Sequence, residues 1–179
     1  MPIFLCLSGK ARGGKDTSAS MAVKYLTSKG KRAKIIHYAD LLKFICLTYL
    51  DWDGEKDEPG RTLLQEVGTD IVRSEEPNYW VDFVISLARF FSDRWDYVLI
   101  PDCRFPNEIE RIKSKGYPTI HIRVVRPGYV SELTAEQQQH ASEVALDSST
   151  PDYTLLNTTL EQLEKNVHTL IDTIEKGGE

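Results

Sequence analysis

Apolar and polar positions along the chain predict strands and helices in alternation. Five short apolar runs predict five strands, at residues 3–7, 33–38, 96–100, 117–125 and 153–156. Between these runs, apolar residues recur at helical spacing, most clearly over residues 79–91 and 160–174. This alternation is typical of an α/β domain with a doubly wound, mostly parallel five-stranded sheet flanked by helices.

Polar residues predict where several of the helices begin. Asp40 follows the second strand and opens a helix, and a short helix is expected at residues 61–68. Thr158 and Glu161 fit a capping box for the last helix, in which Leu160 is expected to face the sheet. Residues 127–152 contain no lysine or arginine, and this composition indicates a mobile flap with little core of its own.

A glycine-rich loop follows the first predicted strand. Gly9, Gly13 and Gly14 precede Lys15 in the order Gly-x-x-x-x-Gly-Lys, and an amphipathic helix begins at once. Glycines allow successive N–H groups to turn inward around a phosphate, and the lysine then bridges the β- and γ-phosphates of a nucleotide. The alternative interpretation is a glycine-rich turn between two core elements.

The loop departs at one position from its usual form. Asp16 stands directly after Lys15, where Ser or Thr is usual, and Thr17 comes next. A magnesium ion at this loop is therefore held either by Thr17 or through waters from a carboxylate.

Three further positions near predicted strand ends are candidates for a ligand site. Asp40 is placed either to contact a ligand or to cap its helix. Asp102 and Arg104 follow the buried run at residues 96–100, either as part of a site or as a local ion pair. Trp80, at the start of a predicted helix, is either a core residue or a platform for a base.

Composition narrows the class of protein. A chain of 179 residues is long enough for one domain with a substantial core, and its net charge of −5 argues against a partner that is a nucleic-acid polymer. Three cysteines without Cys-x-x-Cys spacing indicate neither a disulfide framework nor a structural zinc site. Because no apolar run is long enough to span a membrane, we expect a cytoplasmic protein with no membrane partner.

Several segments resemble the phage-type deoxynucleoside monophosphate kinases of the P-loop kinase superfamily. They are LSGKARGGKDT, YADLLK, DWDGEKDEPGRTLLQEVGTDIVR, NYWVDFV, PDCRFPNEIE and HASEVALD, the last followed by DYTLLNTTLEQLE. The resemblance spans nearly the whole chain. It implies one P-loop kinase domain over residues 1–179, with an acceptor-binding region at about 40–95 and a lid at about 126–150.

The resemblance also implies a reaction and its participants. These are transfer of the γ-phosphoryl group of ATP to a deoxynucleoside 5′-monophosphate, with Mg²⁺ as cofactor. Members of this family often pair as homodimers. Catalysis of this kind rests on positioning and charge stabilisation, because the acceptor is already a phosphate oxyanion.

The resemblance assigns roles to individual residues. On the ATP side, the implied contacts are Gly9, Lys10, Gly13, Gly14, Lys15, Asp16, Thr17 and, near the adenine, Asn157. Mg²⁺ is implied to meet Thr17, Asp16 or Asp102, directly or through water. On the acceptor side, the implied contacts are Asp40, Arg61, Gln65, Arg73, Trp80, Asp102 and Arg104. Lys15 and Arg104 are the implied catalytic residues, together with Arg126 or its neighbour Arg123 at the base of the lid.

Two other functions compete with this interpretation. One keeps the fold and changes the acceptor to another small phosphorylated molecule, such as phosphomevalonate. The other is a nucleotide-binding module without catalysis. The Asn-Lys-x-Asp motif by which a GTPase reads guanine is absent from the sequence.

Overall fold

The chain folds around one parallel sheet of five strands, in a computed structural model that describes residues 1–130 and 138–177. The strands are β1 (Ile3–Ser8), β2 (Ala33–Ile35), β3 (Tyr97–Ile100), β4 (Thr119–Val125) and β5 (Tyr153–Leu156). They pair in the order β2-β3-β1-β4-β5, and every pair is parallel. The predicted α/β class and five-stranded sheet are confirmed.

Helices connect the strands and cover both faces of the sheet. They are α1 (Lys15–Ser28), α2 (Tyr38–Tyr49), α3 (Glu58–Gln65), α4 (Val72–Glu75), α5 (Tyr79–Phe90), α6 (Pro106–Ser114), α7 (Ala141–Val144) and α8 (Leu160–Lys176). A π-helical segment (Glu66–Ile71) joins α3 to α4. Over the two described stretches of chain, no helix combines the length and the apolar character that a membrane crossing needs.

The alternation of side chains along the strands builds two apolar layers. Leu5 and Leu99 pack with α1 and α8 on one face, whereas Phe4 and Ile100 pack with α2, α5 and α6 on the other. All four side chains are fully buried, and each such burial stabilises the fold by about 1.5–3 kcal/mol. The sheet is thereby a rigid support for the loops at its carboxyl edge.

The second strand and its helix differ from the prediction. β2 ends at Ile35 rather than at residue 38, and α2 begins at Tyr38 rather than at Asp40. The backbone N–H groups of Tyr38 and Ala39 donate to the carboxylate of Asp102, which lies just beyond β3. This contact fixes the first turn of α2 earlier than local sequence suggests, because the carboxylate satisfies N–H groups that have no helical partner.

The short helix predicted at residues 61–68 also differs in detail. α3 begins at Glu58, because the side chain of Asp57 caps it by accepting from the N–H of Gly60 at 2.9 Å. The π-helical segment then replaces the expected regular helix end. Within that segment the carbonyl oxygen of Gly68 accepts from the indole N–H of Trp80 at 2.9 Å.

The last helix begins one residue later than predicted. Thr159, rather than Thr158, is the capping residue, and its side-chain oxygen accepts from the N–H of Gln162 at 3.1 Å. Leu160 is 67 % exposed, so the expectation that it faces the sheet is wrong. The core of α8 is built by later residues, among them Ile171, which is 2 % exposed.

The predicted flap is described in part. Residues 131–137 lie outside the described residues, and the lid at about 126–150 stays a prediction. Leu146 is 7 % exposed and belongs to the same apolar cluster as Phe4 and Ile100, so the expectation of little core in this segment is wrong there. Leu146 therefore anchors the chain that follows α7.

Candidate active site

The glycine loop between β1 and α1 adopts a backbone that requires glycine. Gly9 has φ of +139° and Gly14 has φ of +99°. A Cβ at Gly9 would lie 2.3 Å from the carbonyl oxygen of Val124, and one at Gly14 would lie 2.3 Å from Nδ2 of Asn157. The loop is thus packed against β4 on one side and against the chain after β5 on the other.

Lys15 begins α1 and folds back over the loop. Its Nζ donates to the carbonyl oxygens of Gly9 at 2.7 Å and Lys10 at 2.9 Å. Burial lowers the pKa of Lys15, and the neighbouring Arg104 lowers it further. The ammonium group is therefore held by two carbonyl oxygens of the glycine loop.

Asn157 lies against the loop. Its Nδ2 donates to the carbonyl oxygen of Gly13 at 2.9 Å. The side chain thereby supports the loop from β5, and its predicted contact with adenine stays a prediction.

The first turn of α1 carries Asp16 and Thr17 as exposed side chains. Asp16 Oδ1 lies 2.7 Å from Nε2 of His37, the residue that precedes α2. This contact connects the first turn of α1 to the residue that precedes α2. His37 belongs to no recognisable motif, although its position near the end of the second predicted strand was a usable signal.

The larger of two neighbouring cavities has a volume of about 450 Å³. Predicted site residues in its wall are Asp16, Arg61, Gln65, Arg73, Trp80, Asp102 and Arg104. The wall also includes His37, Lys43 and Lys56, which were not predicted from the sequence. Five cationic side chains thus face one space of a size typical of small-molecule sites.

The smaller cavity, of about 290 Å³, lies beside the glycine loop. Predicted site residues in its wall are Gly9, Lys10, Gly13, Arg104 and Arg126. Arg104 and Ser142 belong to the walls of both cavities. The guanidinium of Arg104 therefore stands where the two spaces meet.

Asp102 and Asp40 have structural contacts at the start of α2. The Asp102 oxygens accept from the N–H groups of Tyr38 at 3.1 Å and Ala39 at 3.0 Å. Burial raises the pKa of the Asp102 carboxyl, and the Ala39 contact opposes this shift. Asp40 is not in the wall of the larger cavity, and its carboxylate accepts from the N–H of His37 at 3.1 Å. The structure thus favours the capping alternative for Asp40 over a ligand contact.

Trp80 is 4 % exposed although it lines the larger cavity. Because its indole N–H donates to the carbonyl oxygen of Gly68, its ring is held in the core beside the π-helical segment. Its contact with a base stays a prediction.

Arg104 pairs with Glu143 rather than forming the local ion pair with Asp102 that the sequence left open. Its Nη1 lies 2.5 Å from Oε1 of Glu143 and donates to the carbonyl oxygen of Ser142 at 3.2 Å. Glu143 lies in the HASEVALD segment, and no role for it was predicted from the sequence. Its contact with Arg104 depends on the folding of two segments that are 39 residues apart in the chain.

Glu108 holds the loop after β3 in place. It is 1 % exposed, and its carboxylate accepts from the N–H groups of Arg104 and Phe105 at 2.7 and 3.0 Å. Arg73 completes this arrangement, because its Nη2 lies 2.7 Å from Glu108 and its guanidinium lies 4.1 Å from the centre of the Phe105 ring. Burial raises the pKa of Glu108, and Arg73 opposes this shift.

Glu108→Gln is expected to lower the free energy of unfolding by about 3 kcal/mol, because it leaves the Arg73 charge without its buried partner. Urea denaturation followed by circular dichroism measures this change. Glu110→Gln, at an exposed position two residues away, is the matched control, with an expected change within about 0.5 kcal/mol. Equal losses of unfolding free energy in the two variants would contradict the stabilising role of the contact between Glu108 and Arg73.

The sheet order, the glycine loop after β1 and the lysine at the start of α1 together define a P-loop kinase fold. The APS kinase of Mycobacterium tuberculosis, in complex with AMPPNP and APS, matches with a TM-score of 0.55 at 13 % identity, covering 97 % of this chain and 98 % of that one. The family model for deoxynucleotide monophosphate kinase matches residues 50–167. The chain therefore belongs to the deoxynucleotide monophosphate kinase family.

Two relatives show how far the similarity extends. The deoxynucleotide monophosphate kinase of Enterobacteria phage T4 is 34 % identical over 99 residues, which are 54 % of this chain and 38 % of the phage protein. The uncharacterized protein ORF77 of Ictalurid herpesvirus 1 is 31 % identical over 169 residues, 93 % of this chain and 69 % of that protein. The matched part of this chain thus spans less than half of the T4 kinase.

Proposed function

We propose that this protein transfers the γ-phosphoryl group of ATP to a deoxynucleoside 5′-monophosphate. An oxygen of the acceptor phosphate forms a bond to the γ-phosphorus as the bond from that phosphorus to the β,γ-bridging oxygen breaks. The products are ADP and the deoxynucleoside diphosphate, and no proton is consumed at the attacking oxyanion. One observation carries the proposal: Arg104 lies in the wall between a cavity beside the glycine loop and a second, larger cavity.

The smaller cavity and the glycine loop are proposed to bind the donor phosphates. The backbone N–H groups of the first turn of α1 and the positive end of the helix dipole favour an anion at this point. Lys15 already lies over the loop, held by two carbonyl oxygens. Arg126 lines the same cavity and is the candidate that reaches the transferring group.

The larger cavity is proposed to bind the acceptor. Arg61, Arg73 and Arg104 line it, and guanidinium groups bind phosphate with paired hydrogen bonds. Among the described residues, the buried Nε of Arg73 has no hydrogen-bond partner, and a phosphate oxygen would supply one. Gln65 and Trp80 are the candidates for contact with the base. The family model matches the part of the chain that contains all five residues.

Mg²⁺ fits the start of α1 as an ion held mainly by nucleotide phosphates. The described residues contain no group of three or more His, Cys, Asp or Glu side chains that could hold a metal ion. Asp16 and Thr17 offer exposed oxygens beside the loop, whereas both Asp102 oxygens already accept N–H groups. Kinases commonly bind Mg²⁺ through one or two protein oxygens and the substrate phosphates. Bound there, the ion would neutralise charge on the phosphates.

A panel of acceptors tests the proposal. The protein is incubated with ATP and Mg²⁺, and ADP release is followed after adding one acceptor at a time. The acceptors are dAMP, dGMP, dCMP, dTMP, a hydroxymethylated pyrimidine monophosphate, the matching ribonucleotides and phosphomevalonate. We expect ADP release with at least one deoxynucleotide. Release with phosphomevalonate alone would support the other acceptor class, and no release above background with any acceptor would overturn the kinase proposal.

A further inference from the structure

The carboxylate of Glu143 lies at the glycine loop between two positively polarised donors. Its Oε1 lies 2.5 Å from Nη1 of Arg104, and its Oε2 accepts from the backbone N–H of Ala11 at 3.2 Å. The Glu143 side chain is only 10 % exposed. Backbone N–H groups and guanidinium groups are the donors that proteins use to bind phosphate oxygens. The carboxylate thus occupies the position of an anion at a phosphate-binding loop.

The chain around Glu143 is attached to the loop and the sheet on both sides. Nζ of Lys10 donates to the Glu143 carbonyl oxygen at 2.7 Å and to Asp147 at 2.6 Å. Arg123, on β4, donates to the carbonyl oxygens of Leu146 and Ser149. These contacts hold the backbone on both sides of Glu143 against the glycine loop and β4. The Glu143 carboxylate is therefore kept close to the loop.

The charges around the Glu143 carboxylate favour one anionic group at this position but disfavour two anionic groups at once. Arg104 pairs with the Glu143 carboxylate, Lys15 interacts electrostatically with it, and Lys10 donates to the backbone carbonyl oxygen of Glu143. A nucleoside triphosphate that entered the smaller cavity with Glu143 still in place would add several negative charges beside a largely buried carboxylate. Like charges at close range repel strongly where little water screens them. The carboxylate and a phosphoryl group therefore exclude each other.

We propose that Glu143 is an internal competitor for the phosphate donor: its carboxylate occupies the Ala11 and Arg104 donors in the free protein, and a phosphoryl group displaces it on binding. This inference rests on the proposed function only for the identity of the donor as ATP. It makes Glu143 a determinant of donor affinity, because part of the binding free energy is used to break its contacts.

The affinity of Glu143→Gln for a polyphosphate tests the inference. Glutamine keeps the shape of the side chain and removes its charge. Isothermal titration calorimetry with inorganic tripolyphosphate, and with ATP, in the absence of any acceptor, is expected to show about tenfold tighter binding than to the wild type. Asp147→Asn, which removes a charge from the same segment without a contact to Ala11, is expected to gain threefold or less.

The opposite result overturns the inference. If Glu143→Gln binds tripolyphosphate with wild-type or weaker affinity, the carboxylate is not a competitor. A gain equal to that of Asp147→Asn would reduce its effect to general electrostatics and would overturn the inference as well. Tripolyphosphate carries no base and the titration involves no turnover, so these outcomes are distinct from a failure of the acceptor panel.

A measurement on the wild type gives a second test that does not depend on any variant folding. Hydrogen–deuterium exchange is recorded for the backbone of residues 141–147 with and without tripolyphosphate. Displacement of Glu143 breaks contacts that hold this segment, so exchange there is expected to rise at least threefold on binding. Unchanged or slower exchange at saturating tripolyphosphate would overturn the inference.

Discussion

Lys15→Ala is expected to lower acceptor-dependent ADP release by about a thousandfold or more. Nζ of Lys15 is the cationic group at the centre of the glycine loop, where it lies on two carbonyl oxygens of that loop. Negative charge spreads over the transferring group in the transition state, and a positioned cation stabilises it more than it stabilises the ground state. Its removal therefore lowers kcat more than it raises KM for ATP.

A matched lysine controls for the loss of a charge on the same helix. Lys24 is exposed on α1, and Lys24→Ala is expected to keep rates within about twofold of the wild type. Steady-state kinetics of the two variants with the best acceptor gives the comparison. A Lys15→Ala enzyme with more than a tenth of the wild-type kcat would contradict the assignment of Lys15 to the transferring phosphates.

Arg104→Ala is expected to lower kcat/KM for the acceptor by about a hundredfold or more. The guanidinium is the one group of the predicted clamp that lines both cavities, so its loss affects the acceptor and the transferring group together. Arg104→Lys keeps the charge but cannot make paired hydrogen bonds to one phosphate, and we expect it to recover only part of the activity.

Arg89 offers the comparison for Arg104. It is exposed on α5, where its guanidinium lies 4.8 Å from the centre of the Phe90 ring, and it lines neither cavity. Arg89→Ala is expected to leave kcat/KM within about twofold of the wild type. If Arg104→Ala also did so while ADP release stayed acceptor-dependent, the acceptor phosphate would have to bind elsewhere in the cavity.

The order of strands and helices was predictable because the spacing of apolar residues within each element matches its secondary structure. The near-continuous apolar run at residues 96–100 became β3, which is buried at every position, as expected for a central parallel strand. The predicted boundaries of an element were wrong where a group that is distant in the sequence determines them. The start of α2 depends on the Asp102 carboxylate, which is 64 residues away from Tyr38 in the chain. No local pattern around residue 38 contains that information.

The candidate site was predictable where a motif has a fixed geometry. Lys15 and the glycines of its loop lie together because one strand and one helix position them. The missed residues, among them His37, Glu108 and Glu143, act through contacts with other segments. A buried carboxylate such as Glu108 has the same letter as an exposed one, so its role depends on packing rather than on spacing.

Because Arg104 lies in the walls of both cavities, it can couple the binding of ligands in one cavity to binding in the other. A ligand that moves its guanidinium in one cavity changes the electrostatic potential in the other. By thermodynamic linkage, the factor by which the first ligand changes the affinity for the second equals the factor in the reverse order. The dissociation constant measured for a ligand of one cavity then has a defined value only at a stated concentration of a ligand of the other cavity.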